Sequence, residues 1–297
     1  MDASIEKLKK LHLDGKLCLF VGAGISKSCG LPDWNALSVR VIEETWPDRS
    51  QGIDLFSKYE RSTRAKYSPQ DAMRMARRKL GQQFNSVVSK CLYAEAAGLS
   101  PTVESVVSLR NVRRIISSNY DDLLEEGYTK LGIEFRPLVQ GDSLPPDGDE
   151  VLVFHPHGFL PRRTYSRDYS NDPIILSEDD YHELYSSPYS WPNVIQLNLF
   201  ISFNVLFVGC SLTDPNLRRL LDISKKVRAS AHFAIMRDPD FQFDAKNVST
   251  RQRKPRWWKE LMSFQKHIEA ENLKERGVTP IWYEEDIDFS KILSQIA

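Results

Sequence analysis

The stretch KLCLFVGAGISKSCGLPDW, residues 16–34, opens with an unbroken apolar run, Leu17–Val21, that stops at Gly22-Ala23-Gly24. Apolar residues at every position, rather than at alternate ones, mark a strand covered on both faces, the environment of a parallel sheet. Trp34, Leu37, Val41 and Ile42 then recur near helical spacing. The unit reads as strand, glycine turn, loop and helix.

Outward from this unit the pattern repeats. Apolar, strand-like runs fall at 112–117, 150–154, 204–208, 232–236 and 279–283, with helical segments at 121–131 and 180–199 between them. Such alternation predicts an α/β protein with a doubly wound, Rossmann-like and mostly parallel sheet. Residues 54–97 are charged and helical in pattern, so they are expected to form an all-helical insertion within a single domain spanning 1–297. The segment 140–150, with two prolines and several acidic residues, is expected to be an exposed loop.

Composition removes several function classes. Forty Lys+Arg balance forty Asp+Glu among 297 residues, so no global field draws the chain to nucleic acid or anionic lipid. No apolar run reaches the length of a membrane-spanning helix, and the amphipathic N-terminus, with Ile5, Leu8 and Leu11 on one side, lacks the apolar core of a signal peptide. A cytoplasmic location is expected. The four cysteines, Cys18, Cys29, Cys91 and Cys210, are too scattered for a structural zinc site. Neither a zinc ribbon nor any other metal is expected. The tract RQRKPRWWK, residues 251–259, joins five basic residues to two tryptophans; it reads as an interface segment, and direct nucleic-acid binding is not expected.

The turn Gly22-Ala23-Gly24 lets backbone approach a pyrophosphate, but the next glycine is Gly30, so the dinucleotide fingerprint G-x-G-x-x-G is absent. Context comes from five segments in order: GAGIS (22–26), GLPDW (30–34), SNYDD (118–122), HPHG (155–158) and FVGCSLTDPNL (207–217). Together they resemble the sirtuin family, and most closely the sirtuin-like NAD hydrolases of bacterial anti-phage defence.

The resemblance implies NAD as substrate, held by Gly22, Ala23, Gly24 and Ser26 along its phosphates and ribose. Pro32, Asp33 and Trp34 would lie beside the nicotinamide ribose; Trp34 stands where the family has Phe, and Asn35 where deacetylases have Arg. Asn119 corresponds to the residue that holds ribose hydroxyls or the attacking water, and its amide offers both donor and acceptor. Asp121 corresponds to the residue that meets the nicotinamide carboxamide, although a helix cap explains it nearly as well. Asp122 has only the cap reading. His157, before Gly158, corresponds to the catalytic base, while His155 reads as a buried, hydrogen-bonded histidine. Gly209 and Ser211 would meet the adenosine half, and Asp214-Pro215 is a good helix start. The adenine pocket has no motif; the end of the 279–283 strand is a candidate by position.

The implied reaction is cleavage of the nicotinamide–ribosyl bond by water, giving nicotinamide and ADP-ribose and depleting NAD in defence. Two alternatives stay open: an NAD-dependent deacylase, and a non-catalytic sensor of NAD or ADP-ribose. Related hydrolases are held inactive until infection. No attached sensor domain is expected, and control by a homo-oligomer or a regulatory partner, such as a HerA-type ATPase or an Argonaute, is expected instead.

Overall fold

The computed structural model describes residues 2–47, 68–146, 148–229, 231–239 and 257–297. Among these residues seven strands form one sheet: β1 (Leu17–Val21), β2 (Arg114–Ser117), β3 (Phe135–Leu138), β4 (Val151–Phe154), β5 (Asn204–Val208), β6 (His232–Arg237) and β7 (Val278–Tyr283). Every pairing is parallel, in the order β3-β4-β2-β1-β5-β6-β7. Strands β2 to β4 lie on one side of β1, and β5 to β7 on the other. The sheet therefore changes winding direction between β1 and β5, where open parallel sheets place a ligand crevice at the carboxyl ends of the strands.

The helices are α1 (Asp2–Leu13), α2 (Ala23–Lys27), α3 (Trp34–Thr45), α4 (Pro69–Leu80), α5 (Phe84–Leu92), α6 (Pro101–Val107), α7 (Leu123–Leu131) and α8 (Glu178–Ser186). They continue with α9 (Trp191–Ser202), α10 (Pro215–Val227), α11 (Trp258–Glu275) and α12 (Asp286–Ile296).

Alternation along β1 explains its unbroken apolar run. Leu17, Leu19 and Val21 enter one core with α1, α6, α7 and α12, while Cys18 and Phe20 enter a second core with α9, α10 and α11. Strand β5 divides in the same way, Leu206 and Val208 against Val205 and Phe207. Each such buried side chain contributes about 1.5–3 kcal/mol, so a polar residue on either face would be costly. The ladder pairs Leu17 with Asn204 through to Val21 with Val208, so Gly22 and Gly209 leave the sheet side by side.

Helix starts follow their caps. Asp33, Ser68, Ser100 and Asp214 each accept a bond from the first turn of α3, α4, α6 and α10, and proline occupies the first turn in the last three. The described part of the expected insertion is helical, α4 and α5 joined by a 3-10 turn and packed on α3; residues 54–67 lie outside the described residues.

Two expectations are corrected. The segment 180–199 is not one helix: it breaks into α8 and α9 around Pro188, which has no N–H to continue the ladder. Strand β3 was not anticipated, because Phe135-Arg136-Pro137-Leu138 is short and contains proline; it is an edge strand, where proline is tolerated.

Candidate active site

Every site residue anticipated from sequence lines one cleft of about 1360 Å³ at the carboxyl ends of the strands: Gly22, Ala23, Gly24, Ser26, Pro32, Asp33, Trp34, Asn119, Asp121, His157, Gly209 and Ser211. The cleft exceeds the roughly 300–1,000 Å³ of most small-ligand sites. Its lining also includes Glu178, Tyr181, Tyr283 and Asp286.

The glycines let the loops after β1 and β5 pack against each other. The Gly22 N–H donates to Val208 O at 3.0 Å, and the Gly24 N–H to Gly209 O at 2.9 Å. A Cβ on Gly22 would lie 2.6 Å from Gly209 O, and one on Gly24 2.9 Å from Gly209 Cα. Gly209 itself has φ +65° and would press a Cβ to 2.7 Å from Ile25 N. These three residues are glycine so that the loops after β1 and β5 can touch. Two N–H groups anticipated for a pyrophosphate are already committed between the loops.

Asn119 sits on the bend between β2 and α7, 7% exposed. Its Nδ2 donates to Gly22 O at 3.1 Å and to Ser26 Oγ at 2.7 Å. Because the Gly22 carbonyl can only accept, Nδ2 must face it, and the amide orientation is fixed. Both amide hydrogens are thus engaged, and Oδ1 receives no bond among the described residues. Sequence had offered a donor and an acceptor; folding engages the donor and leaves the acceptor without a bond among the described residues.

Ser26 passes the arrangement on. Its oxygen accepts from Asn119, so its hydrogen goes to Asp121 Oδ2 at 2.6 Å. Asp121 Oδ1 accepts from Leu123 N at 3.3 Å, which is the helix-cap contact. Burial pushes Asp121 up to about 6; bonds from Ser26 and Leu123 oppose the shift, Glu125 adds to it, and His155 opposes it. Asp122 is corrected: it makes no capping bond. Fully buried, it accepts from Tyr93 Oη, Arg163 N and Tyr165 Oη, tying the 160–165 loop to α7.

The two histidines after β4 differ as their surroundings dictate. His155 is buried, with Nδ1 3.2 Å from Asn119 O, Nε2 2.9 Å from Glu125 Oε1, and Phe159 stacked at 4.2 Å. His157 is half-buried on the cleft wall, its ring edge-on to Tyr181 at 6.3 Å. Desolvation lowers the His157 value, while the Asp214 carboxylate and the Ser118 backbone pull it the other way. The imidazole is therefore neutral at neutral pH, as a base must be. Gly158, at φ +99°, would place a Cβ 2.7 Å from Pro173 O; only glycine lets the chain turn there with His157 facing the cleft.

Asp33, also in the cleft lining, caps α3 and pairs with Lys27 at 3.1 Å. Burial raises its carboxyl, but the Ala36 backbone and Lys27 outweigh that and hold it below the usual range. Trp34 packs on the core while lining the cleft. Ser211 Oγ bonds Thr213 Oγ1 at 2.7 Å. Asp214 caps α10 as expected, through Asn216 N and Leu217 N, and also sets the field at His157. Tyr181, Glu269 and Arg237 line the cleft with no motif to announce them. Among the described residues no cluster of His, Cys, Asp and Glu is arranged to hold a metal ion, and no helix is long and apolar enough to cross a membrane.

The crevice at the carboxyl ends of the strands, entered by Asn119 after β2 and His157 after β4, has the form of a ligand cleft in an open α/β sheet. Residues 113–263, about half of the chain, match the SIR2-like domain, and the protein belongs to that family. It is 22% identical over 238 residues to defense-associated sirtuin 2 of Bacillus subtilis, covering 79% of this chain and 22% of that protein. It is 25% identical to the NAD(+) hydrolase ThsA of Cytobacillus dafuensis over 219 residues, 73% of this chain and 39% of the relative. With ThsA of Enterococcus faecium the identity is 25% over 243 residues, 78% and 45% of the two chains. The chain thus spans between about a fifth and just under half of these relatives' lengths.

Proposed function

We propose that this protein hydrolyses NAD at the nicotinamide–ribosyl bond, and that the setting is NAD depletion in defence against phage. Water adds to the anomeric carbon, nicotinamide leaves with the bonding electron pair, and ADP-ribose and a proton are released. The observation that carries the reading is the orientation of Asn119: a residue of the cleft lining whose amide nitrogen is held by two bonds and whose oxygen accepts none among the described residues. An acceptor there suits an oxocarbenium-like centre and its attacking water, since both present positive charge or a hydrogen. The nicotinamide departs neutral, so no acid is required. A neutral His157 takes the proton from water or a ribose hydroxyl. Asp121 keeps a free lone pair for the carboxamide while its existing bonds steady Ser26. The names of the two ThsA relatives and of the Bacillus subtilis sirtuin support the substrate and the setting.

Chromatography of NAD and its products after incubation with the purified protein tests the reading. Nicotinamide and ADP-ribose are expected without an acylated peptide. Asn119→Ala and His157→Ala should each lower turnover about 100-fold or more, with the circular dichroism spectrum unchanged. Wild-type turnover in both variants would remove the proposed chemistry.

Control through association is the second part of the proposal, with a second copy of this chain as the partner. Trp257, Leu261, Phe264 and Ile268 lie exposed along α11 at spacings of four, three and four, the seam of a helix–helix contact. Antiparallel pairing would set Trp257 against Ile268 and Leu261 against Phe264, with Glu260 facing His267. A regulatory partner in place of a second copy is the other outcome of a sizing experiment. In the tract 251–259, residues 251–256 lie outside the described residues; Trp258 is buried and Trp257 belongs to this seam.

A further inference from the structure

We propose that Glu125 and His155 are positioning residues: a buried pair that fixes the Asn119 peptide and so aims Asn119 Oδ1 at the reacting ribosyl carbon. The proposal rests on the NAD-hydrolase reading for its activity arm, and has a second arm that does not.

The argument begins with cost. Both side chains have zero exposure, and placing an ionisable pair beyond the reach of water carries a desolvation penalty of several kcal/mol per charge. One oxygen of the pair, Glu125 Oε2, is buried without a partner, which adds to that penalty. Replacing such a buried pair by apolar residues of similar volume is often neutral or stabilising. What the pair supplies instead is one directed bond, His155 Nδ1 to Asn119 O at 3.2 Å.

That bond fixes the proton arrangement. The Asn119 carbonyl can only accept, so Nδ1 must carry a hydrogen. At Nε2, 2.9 Å from Glu125 Oε1, one further proton lies between nitrogen and oxygen. Imidazolium with carboxylate and imidazole with carboxylic acid both satisfy the contact. The neutral tautomer with hydrogen on Nε2 does not, because it turns a lone pair toward the Asn119 carbonyl. Glu125 therefore selects the tautomer that holds Asn119, as a second-layer acid commonly does for a functional histidine.

Neighbouring peptide groups have their own ties. Ser118 N donates to Val21 O, and Leu160 N to Tyr120 O. At Asn119 the backbone N–H has a long contact to Ser117 Oγ at 3.3 Å, while the carbonyl depends on His155. Without that hold the peptide can rotate, and the side-chain bonds to Gly22 and Ser26 rotate with it.

Glu125→Gln and Glu125→Ala separate this role from simple core packing. The glutamine amide can donate to Nε2 and keep hydrogen on Nδ1; alanine cannot. In Glu125→Ala, kcat is expected to fall about 100-fold, the effect of misplacing a reacting group by about 1 Å, with KM for NAD changed less than about threefold. Glu125→Gln should restore kcat to within about tenfold of wild type. Wild-type kcat in Glu125→Ala, or equal damage in both variants, would overturn the proposal. The second arm is nitrogen-15 NMR of labelled protein without NAD. Wild type and Glu125→Gln should show the His155 Nδ1–H and a sharp, slowly exchanging Asn119 side-chain amide, both lost in Glu125→Ala. An unchanged Asn119 amide in Glu125→Ala would refute positioning even if the wild-type protein proved not to cleave NAD; a failed hydrolysis assay with the NMR pattern intact would fault the reading of the reaction alone.

Discussion

The carboxyl of Asp121 links folding stability to pH with a sign opposite to that of most aspartates. Burial pushes it from 3.8 up to about 6. The folded protein therefore keeps this proton to about pH 6, whereas the unfolded chain loses it near pH 4. Unfolding stability attributable to Asp121 is greatest below about pH 4, declines as pH rises through that window, and is lower by about 3 kcal/mol above it. Asp121→Asn has no such titration. Its amide must either give up the bond from Ser26 or turn a donor toward the Leu123 N–H, a loss of about 1–3 kcal/mol that does not vary with pH. The quantity to measure is the difference between variant and wild type, by urea denaturation at pH values from 4 to 8. That difference should move in the variant's favour by about 2.4 kcal/mol between pH 4 and pH 7, with most of the change between 4 and 6. A difference flat to within about 0.5 kcal/mol, or one moving the other way, would refute the assignment of the shift to burial at this site.

Gly209→Ala and Gly132→Ala form a matched pair, since both glycines have φ +65° but only the first meets neighbouring backbone. By calorimetry Gly132→Ala should cost about 1 kcal/mol for its left-handed conformation, and Gly209→Ala about 1–3 kcal/mol more for overpacking against Ile25; equal losses would remove the close-contact account of the loops. For the α11 seam, Phe264→Asp should shift the protein to a smaller species in light scattering while its melting temperature stays within a few degrees. A single unchanged mass for wild type and variant would exclude this seam as a contact between copies.

The sheet was legible because β1 and β5 bury both faces, and that condition writes itself into sequence as consecutive apolar residues. Edge strand β3 was not, because an edge needs neither length nor continuous apolarity and accepts Pro137. The break between α8 and α9 was carried by Pro188 and Pro192 and was available to a stricter reading of proline. At the site, the residues that converge could be named from motifs, but not what each one does there. Whether Ser26 faces a ribose or Asn119 depends on a 2.7 Å contact across 93 residues, and spacing along the chain holds no record of it. Asp122 gave a cap signature at the right position, yet the bonding fell to Asp121, because Tyr93 and the 163–165 loop occupy Asp122 instead. Tyr181 and Glu269 had no pattern of their own; they reach the cleft only through the packing of α8 and α11.

The glycine contact between the loops after β1 and β5 also divides the labour of the site. Asn119 and His157, the groups proposed to act in bond breaking, come from the strands before the seam, and the wall from Gly209 to Asp214, with Arg237 and Tyr283, comes from those after it. Neither half contains a complete cleft. On the proposed function, the protein has no catalytic fragment to inherit or to lose piecemeal: reactivity would appear only once the two halves of the sheet have zipped together, and a change in the far wall at Asp214 would be felt at His157.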